Sequence, residues 1–136
     1  MICSKLEYIN LNNLELADID FKDVILVGSS FINTTFINCK FKGVNFTNCD
    51  LTNTTFINCN LSFCIGNNKE IKTLQLGDCI VTYYRNIFYI NHSTYTLDEI
   101  KSYSDIDFIQ QSDGIMIEWW RLNKKIIIEL MERELK

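Results

Sequence analysis

Few side chains in this 136-residue chain could do chemistry: six cysteines, one histidine and 17 acidic groups. Cys39, Cys49, Cys59 and Cys64 follow one another at intervals of ten or five residues. Zinc ligation asks for thiolates in close pairs such as C-x-x-C, completed by histidine. No such pair occurs, His92 is the single imidazole, and neither metal nor cofactor is expected. His92, between Asn91 and Ser93 and just ahead of a helix start, reads as a loop or capping histidine, with a general base as the alternative. Asp105 and Asp107 have the spacing of an acid/base or metal pair. Two carboxylates opening a helix are equally what its positive dipole end favours. No nucleophile–base–acid set and no phosphate-binding glycine loop is present, so the chain is not expected to be an enzyme.

What positions the cysteines is a repeat. Leucine or phenylalanine falls on every fifth residue: Leu6, Leu11, Leu16, Phe21, Leu26, Phe31, Phe36, Phe41, Phe46, Leu51, Phe56 and Leu61. Two residues before each stands a small or aliphatic side chain, from Ser4 and Ile9 to Cys39, Cys49, Thr54 and Cys59. Neither a helix nor an ordinary strand has a period of five, but a solenoid of short units stacked over a shared core can. Two side chains of each unit then point inward and three outward. At the inward position a cysteine acts as a small buried hydrophobe. Cys39 and Cys59 come near enough for a bridge if oxidised, and a reducing cytosol keeps them free.

This pattern of a small residue, Asp or Asn, then Leu or Phe and two variable positions resembles the pentapeptide-repeat family, over about half the chain. The resemblance implies a right-handed quadrilateral β-helix of four units per turn, with residues twenty apart directly above one another. An internal copy supports that spacing: Asn33-Thr34-Thr35-Phe36-Ile37-Asn38-Cys39 recurs unchanged at 53–59. Twelve units make three turns, about 15 Å tall at the usual strand spacing. Phe36 should stack under Phe56, and Cys39 under Cys59. Outside, Asn13, Asn33 and Asn53 form one column, Asn38 and Asn58 another, Ile37 and Ile57 an exposed apolar pair, and Lys22 sits beside Lys42. Stacked amides can hydrogen-bond along such a column. The columns are therefore a structural device or a face that meets a partner. The candidate partner-binding residues are Asn33, Ile37, Asn38, Asn53, Ile57 and Asn58.

The expected organisation is a β-helix over residues 1–66 and a module of capping strands and helices over 67–136. Strands are expected at 71–76, 79–84 and 86–90, with turns at Gly66-Asn67-Asn68 and Gly77-Asp78. They would cover the last turn of the solenoid and hide its open edge. Thr96 with Glu99 is a capping box for a helix through Tyr103. Ser104 caps a second helix over 105–111, and a third starts near Ser112 or Asp113 and runs to about Glu134. This last helix carries two apolar stripes. One is Ile115, Trp119, Leu122, Ile126 and Leu130; the other is Met116, Trp120, Ile127, Met131 and Leu135. Such a wide arc exceeds what one core contact needs. One stripe is expected to pack inside, and Met116, Trp119, Trp120, Ile127 and Met131 are candidates for a dimer or partner contact.

A net charge of −4 without a basic stripe argues against direct nucleic-acid binding. No run is long and apolar enough for a membrane span, and Met1-Ile2-Cys3-Ser4-Lys5 does not begin a signal peptide, so the cytoplasm of a bacterial host is the expected location. The tail, with Phe88-Tyr89-Ile90-Asn91-His92, Tyr95-Thr96-Leu97-Asp98-Glu99-Ile100 and Glu118-Trp119-Trp120, is similar to a C-terminal module of pentapeptide-repeat proteins encoded by bacteriophages and prophages. These resemblances imply a non-enzymatic protein that engages and inhibits a host defence or nucleic-acid-processing protein. Gyrase-protecting members of the family imitate DNA by negative charge; here Val24 to Cys64 holds only Lys40, Lys42 and Asp50 as charges. The remaining alternatives are a nucleotide-binding sponge around Tyr83, Tyr84, Arg85 and His92, and a structural part of an assembly.

Overall fold

A chain with an apolar residue at every fifth position can bury them all only by turning a corner in each unit. The computed structural model, which describes residues 6–134, shows how the corner is made. The second residue after each Leu or Phe, from Tyr8 through Asn33 and Asn53 to Phe63, has φ between 51° and 74°. That left-handed conformation presses Cβ against the backbone in most residues, and Asn, Asp and Gly bear it best. Ten of these twelve corner positions are Asn, Asp or Gly, leaving Tyr8 and Phe63 as the others. Within a unit, the amide three residues on closes the turn to the apolar residue's carbonyl, as in Thr34 to Phe31 (3.1 Å) and Thr54 to Leu51 (3.0 Å). Ser4 and Leu135, assigned above to the repeat and to the last helix, lie outside the described residues.

Twenty residues carry the chain through four columns of parallel pairing. One column is a three-stranded parallel sheet of β1 (Glu15–Ala17), β2 (Thr35–Ile37) and β3 (Thr55–Ile57), in the register Leu16–Phe36–Phe56. The other three are single bridges: Asn10–Ser30–Asp50, Asp20–Lys40–Asn60 and Ile25–Asn45–Ile65. Inside, Phe36 stacks on Phe56 with ring centroids 5.4 Å apart and Phe21 on Phe41 at 5.0 Å. Phe31, Phe36, Phe41 and Phe46 have no exposed surface. The second inward position does more than fill space. Its hydroxyl or thiol donates to a carbonyl twenty-three residues earlier: Ser29 to Leu6, Thr54 to Phe31, Cys49 to Leu26 and Cys64 to Phe41. Serine, threonine and cysteine recur there because each is a small side chain with one donor to offer a buried carbonyl.

The rest of the chain is a two-faced sheet with helices on its far side. Strands β4 (Ile71–Leu76), β5 (Cys79–Tyr84), β6 (Ile87–Ile90) and β7 (Ser93–Thr96) pair antiparallel in that order. Three strands were expected; the fourth, β7, occupies the stretch before Thr96 that reads as a loop in sequence. Alternation along the strands splits the side chains between two cores. Ile71, Tyr84, Ile87 and Tyr89 join the core of the repeats. Val81, Tyr83, Phe88, Ile90 and Tyr95 join a second core with the helices.

The sheet covers the last turn of the repeats with hydroxyl groups. Tyr84 donates to the Thr54 carbonyl (3.3 Å), Tyr89 to Cys59 (3.0 Å), and Thr73 and Thr82 both to Cys64 (2.8 and 3.1 Å). The upper edge of a parallel stack, otherwise a row of unsatisfied carbonyls, is thus met by side chains.

Helix α1 (Leu97–Ser102) starts in the expected Thr96/Glu99 capping box, and α2 (Asp105–Gln111) in a second box of Ser104 and Asp107. Helix α3 is Ile117–Glu134, four or five residues shorter at its start than the sequence suggests. Gly114 is left-handed with φ 79°, and the Asp113 amide is drawn to the Ser93 hydroxyl at 2.8 Å, which holds 112–116 out of the helix. Phe108 stacks on Trp120 at 3.6 Å and on Tyr95 at 4.6 Å.

Candidate interaction surface

The β1–β3 side of the repeats and its two corners hold all six residues proposed from sequence as partner-binding. Ile37 pairs with Ile57 in the strand register, and Ile57 remains 48% exposed. At one corner the amides form a ladder, Asn53 donating to Asn33 (3.1 Å) and Asn33 to Asn13 (3.2 Å). At the other corner Asn58 donates to Asn38 at 2.7 Å. All five asparagines are also left-handed corner residues. Each therefore serves the backbone and the column, and presents what is left of its amide to solvent. The result is a flat strip with isoleucines in its middle and fixed amide edges. Fixed side chains lose little freedom on binding, which lowers the cost of association.

The chemistry-bearing residues are placed otherwise. Cys39, Cys49 and Cys64 are buried and Cys59 is half-buried; none is in a disulfide. Burial pushes the Cys64 thiol up to about 12, and raises Cys49 and Cys59 as well, so these groups stay protonated donors at neutral pH. Among the described residues no three His, Cys, Asp or Glu side chains are grouped to hold a metal ion. His92 is exposed and lies edge-on to Phe63, centroids 4.7 Å apart. Asp107 accepts from the Ser104 amide as part of its cap. Asp105 is held below the usual carboxylate range by its hydrogen bond with Lys124, with a further contribution from Arg121. Both aspartates are occupied in helix capping and ion pairing.

The residues expected to form a nucleotide pocket do not converge. Tyr83 belongs to the helix-side core, stacked on Phe88 at 4.7 Å, whereas Tyr84 turns to the repeats beneath Arg85. Adjacent strand residues must face opposite ways, so one cavity cannot use both.

The assignment for α3 needs correction too. Trp120, Ile127 and Met131, candidates for an outer contact, are fully buried against the sheet and α2. Trp119 is half-buried, its indole N–H donating to the Leu76 carbonyl at 2.5 Å. Of the five candidates only Met116 is well exposed, at 67%. The exposed apolar residues of the helix itself are Leu122 and Ile126, from the stripe that includes Trp119. A stripe read from spacing alone does not say which side the sheet will take. No described helix is long and apolar enough to cross a membrane.

Sequence reasoning missed two groups. The four hydroxyl donors of the cap read in sequence as strand formers, with Tyr84 also a candidate pocket residue, although their alternation along β4–β6 marks a common face. The second is a basic side: the sequence register puts Lys22 beside Lys42, and the structure adds Lys40 on the neighbouring column of the face next to β1–β3. Counting charge from Val24 onward separates Lys40 and Lys42 from Lys22, and the hollow they share gathers the three.

The stacked five-residue units, with inward Leu or Phe and a left-handed corner in each, define a repeat β-helix as the class of this segment. The family model of pentapeptide repeats matches it in eight copies, over residues 4–43, 15–53 and 36–65. Residues 4–65 are therefore a segment of pentapeptide repeats. No curated protein and no solved structure matches the chain.

Proposed function

We propose that this protein is a non-enzymatic interaction module whose partner lies across the β1–β3 side. The observation that carries this reading is the Ile37–Ile57 pair, half-buried at Ile37 and exposed at Ile57, held between two asparagine columns. A rigid apolar strip with polar edges has the layout of a protein contact, an apolar centre within a polar rim. The pentapeptide repeats of residues 4–65 support the general role. The tail's resemblance to phage and prophage modules supports a finer one: an inhibitor, acting in the host cytoplasm, of a host defence or nucleic-acid-processing protein. In that reading the repeats close as a right-handed four-sided helix. Imitation of DNA gains no support, because the acidic residues of the first turn (Glu15, Asp18, Asp20 and Asp23) share the surface with Lys22, Lys40 and Lys42.

The test is capture of partners from a bacterial lysate by tagged protein, with an Ile37→Lys/Ile57→Lys double variant beside the wild type. Both side chains reach solvent, so the variant should keep its circular dichroism spectrum and melting behaviour. A protein captured by the wild type and lost from the folded variant is the expected result. Equal capture by both would remove the β1–β3 side from the interface.

A further inference from the structure

The neighbouring side of the repeats departs from the charge of the whole. Around the Asn38/Asn58 corner from the isoleucine strip lies a hollow of about 550 Å3, lined by Lys22, Lys40, Lys42, Asn38, Asn58 and Asn60. Lys22 and Lys42 occupy equivalent positions one turn apart, beside Phe21 and Phe41, whose rings stack at 5.0 Å. Lys40 sits in the adjacent column, paired with Asp20 below and Asn60 above. Like charges on directly stacked positions repel, and no ion pair between described residues involves these lysines. Every described ion pair is in the tail: Lys72–Glu134, Lys101–Glu132, Arg121–Asp105 and Lys124–Asp105. Asp20 is the one acidic residue of the hollow, and it accepts from the Lys22 backbone amide at 2.9 Å. Lys42 stands 5.8 Å from the Phe63 ring centre. A protein of net charge −4 thus concentrates three ammonium groups against one carboxylate in a single hollow.

We propose that this lysine face binds a short acidic segment of a partner protein, continuous with the contact at Ile37 and Ile57. This rests on the interaction reading above and gives the partner its chemistry: carboxylates for the lysines and asparagine amides, and an apolar side chain for the isoleucine strip. Two features favour a short peptide over nucleic acid. The hollow has no aromatic lining on which a base could stack. Asp18 and Asp23 stand at the corners bounding the lysine face, so a long polyanion crossing it would meet carboxylates at both edges.

The experiment uses the whole protein and a fluorescein-labelled peptide of alternating glutamate and leucine. A peptide with glutamine for glutamate, a single-stranded oligothymidylate and ATP serve as competitors. The expected result is saturable binding of the acidic peptide that weakens as salt rises from about 50 to about 300 mM. It should also weaken at least tenfold in Lys22→Glu/Lys40→Glu, and hold in Lys69→Glu/Lys125→Glu, which has the same charge change elsewhere. Backbone amide shifts in the wild type should centre on residues 20–22, 38–42 and 58–62, a readout independent of any variant. The proposal is overturned by absence of binding, by equal weakening in the two double variants, by shifts mapping elsewhere, or by tighter binding of oligothymidylate or ATP. Lysate capture separates the two readings. Loss in Ile37→Lys/Ile57→Lys with retention in Lys22→Glu/Lys40→Glu keeps the interaction surface and removes the acidic partner; retention in both removes the surface itself.

Discussion

The repeats and the tail bury their apolar residues by opposite means. In the repeats every inward position is filled by one rule applied twelve times, so Phe36 touches the same kinds of neighbour as Phe41 or Phe56. In the tail each contact is made once. Trp120 has its one Phe108, and Trp119 its one Leu76 carbonyl. The first arrangement spreads stability over neighbouring turns, and the second concentrates it in a few aromatic side chains. The sheet β4–β7 belongs to both cores, which makes it the place where their independence can be measured.

The largest effect should come from Phe36→Ala. Truncating a fully buried phenylalanine costs about 3–5 kcal/mol, and with only three turns no distant turn can make up the loss. Denaturant unfolding should show most of the repeat signal lost. Trp120→Ala should cost a similar amount in a different place: amide exchange rising through α2 and α3 while residues 26–61 stay protected. Loss of protection in both regions together would show that the sheet fuses them into one cooperative unit.

A smaller change probes the junction. Tyr89→Phe leaves the Cys59 carbonyl without its donor and should cost about 1–2 kcal/mol. The same residue gives the junction a pH dependence. Burial pushes the Tyr89 phenol up to about 12, above its ordinary value near 10, because the fold favours the neutral, donating form. Its contribution is complete below pH about 10 and is lost as pH climbs toward 12. Urea midpoints across that window should fall less steeply in Tyr89→Phe than in the wild type. Equal slopes would detach the phenol from the stability of the junction.

The mildest test concerns a corner. Asn33→Ala should cost about 1 kcal/mol, since alanine resists positive φ. Asn33→Gly should be closer to neutral, because glycine keeps the corner and loses only the amide ladder. If the two variants melted alike, the ladder rather than the corner would be what asparagine supplies.

The same contrast explains what the sequence disclosed. The period of five with the copy at twenty residues determined the stacking partners, and the Phe36–Phe56 pair and both asparagine columns follow from it. The left-handed corners were present as Asn, Asp and Gly at a constant offset, although their amides invited a reading as ladders or as a partner face. The tail offered less because its rules are not repeated. Strand β7 runs directly into the Thr96 cap, so its four residues carried the signal of the helix that follows. On α3 the apolar arc is continuous enough that Leu122 and Trp120 were equally good candidates for the inside, and the sheet's position decided between them. Lys22 beside Lys42 follows from the same register, whereas Lys40, one column away, joins them only in the folded turn.

The hydroxyl cap has a consequence for length. Tyr84, Tyr89, Thr73 and Thr82 all donate to backbone carbonyls of the uppermost turn, and such carbonyls recur in every turn. Duplication of twenty residues within the repeats would raise the sheet and helices by about 4.8 Å and return them to the same bearing. Duplication of five or ten would swing them by a quarter or a half revolution. The molecule is built as a graduated post: the separation of its ends changes in fixed steps, and whole steps alone preserve the direction in which the tail looks.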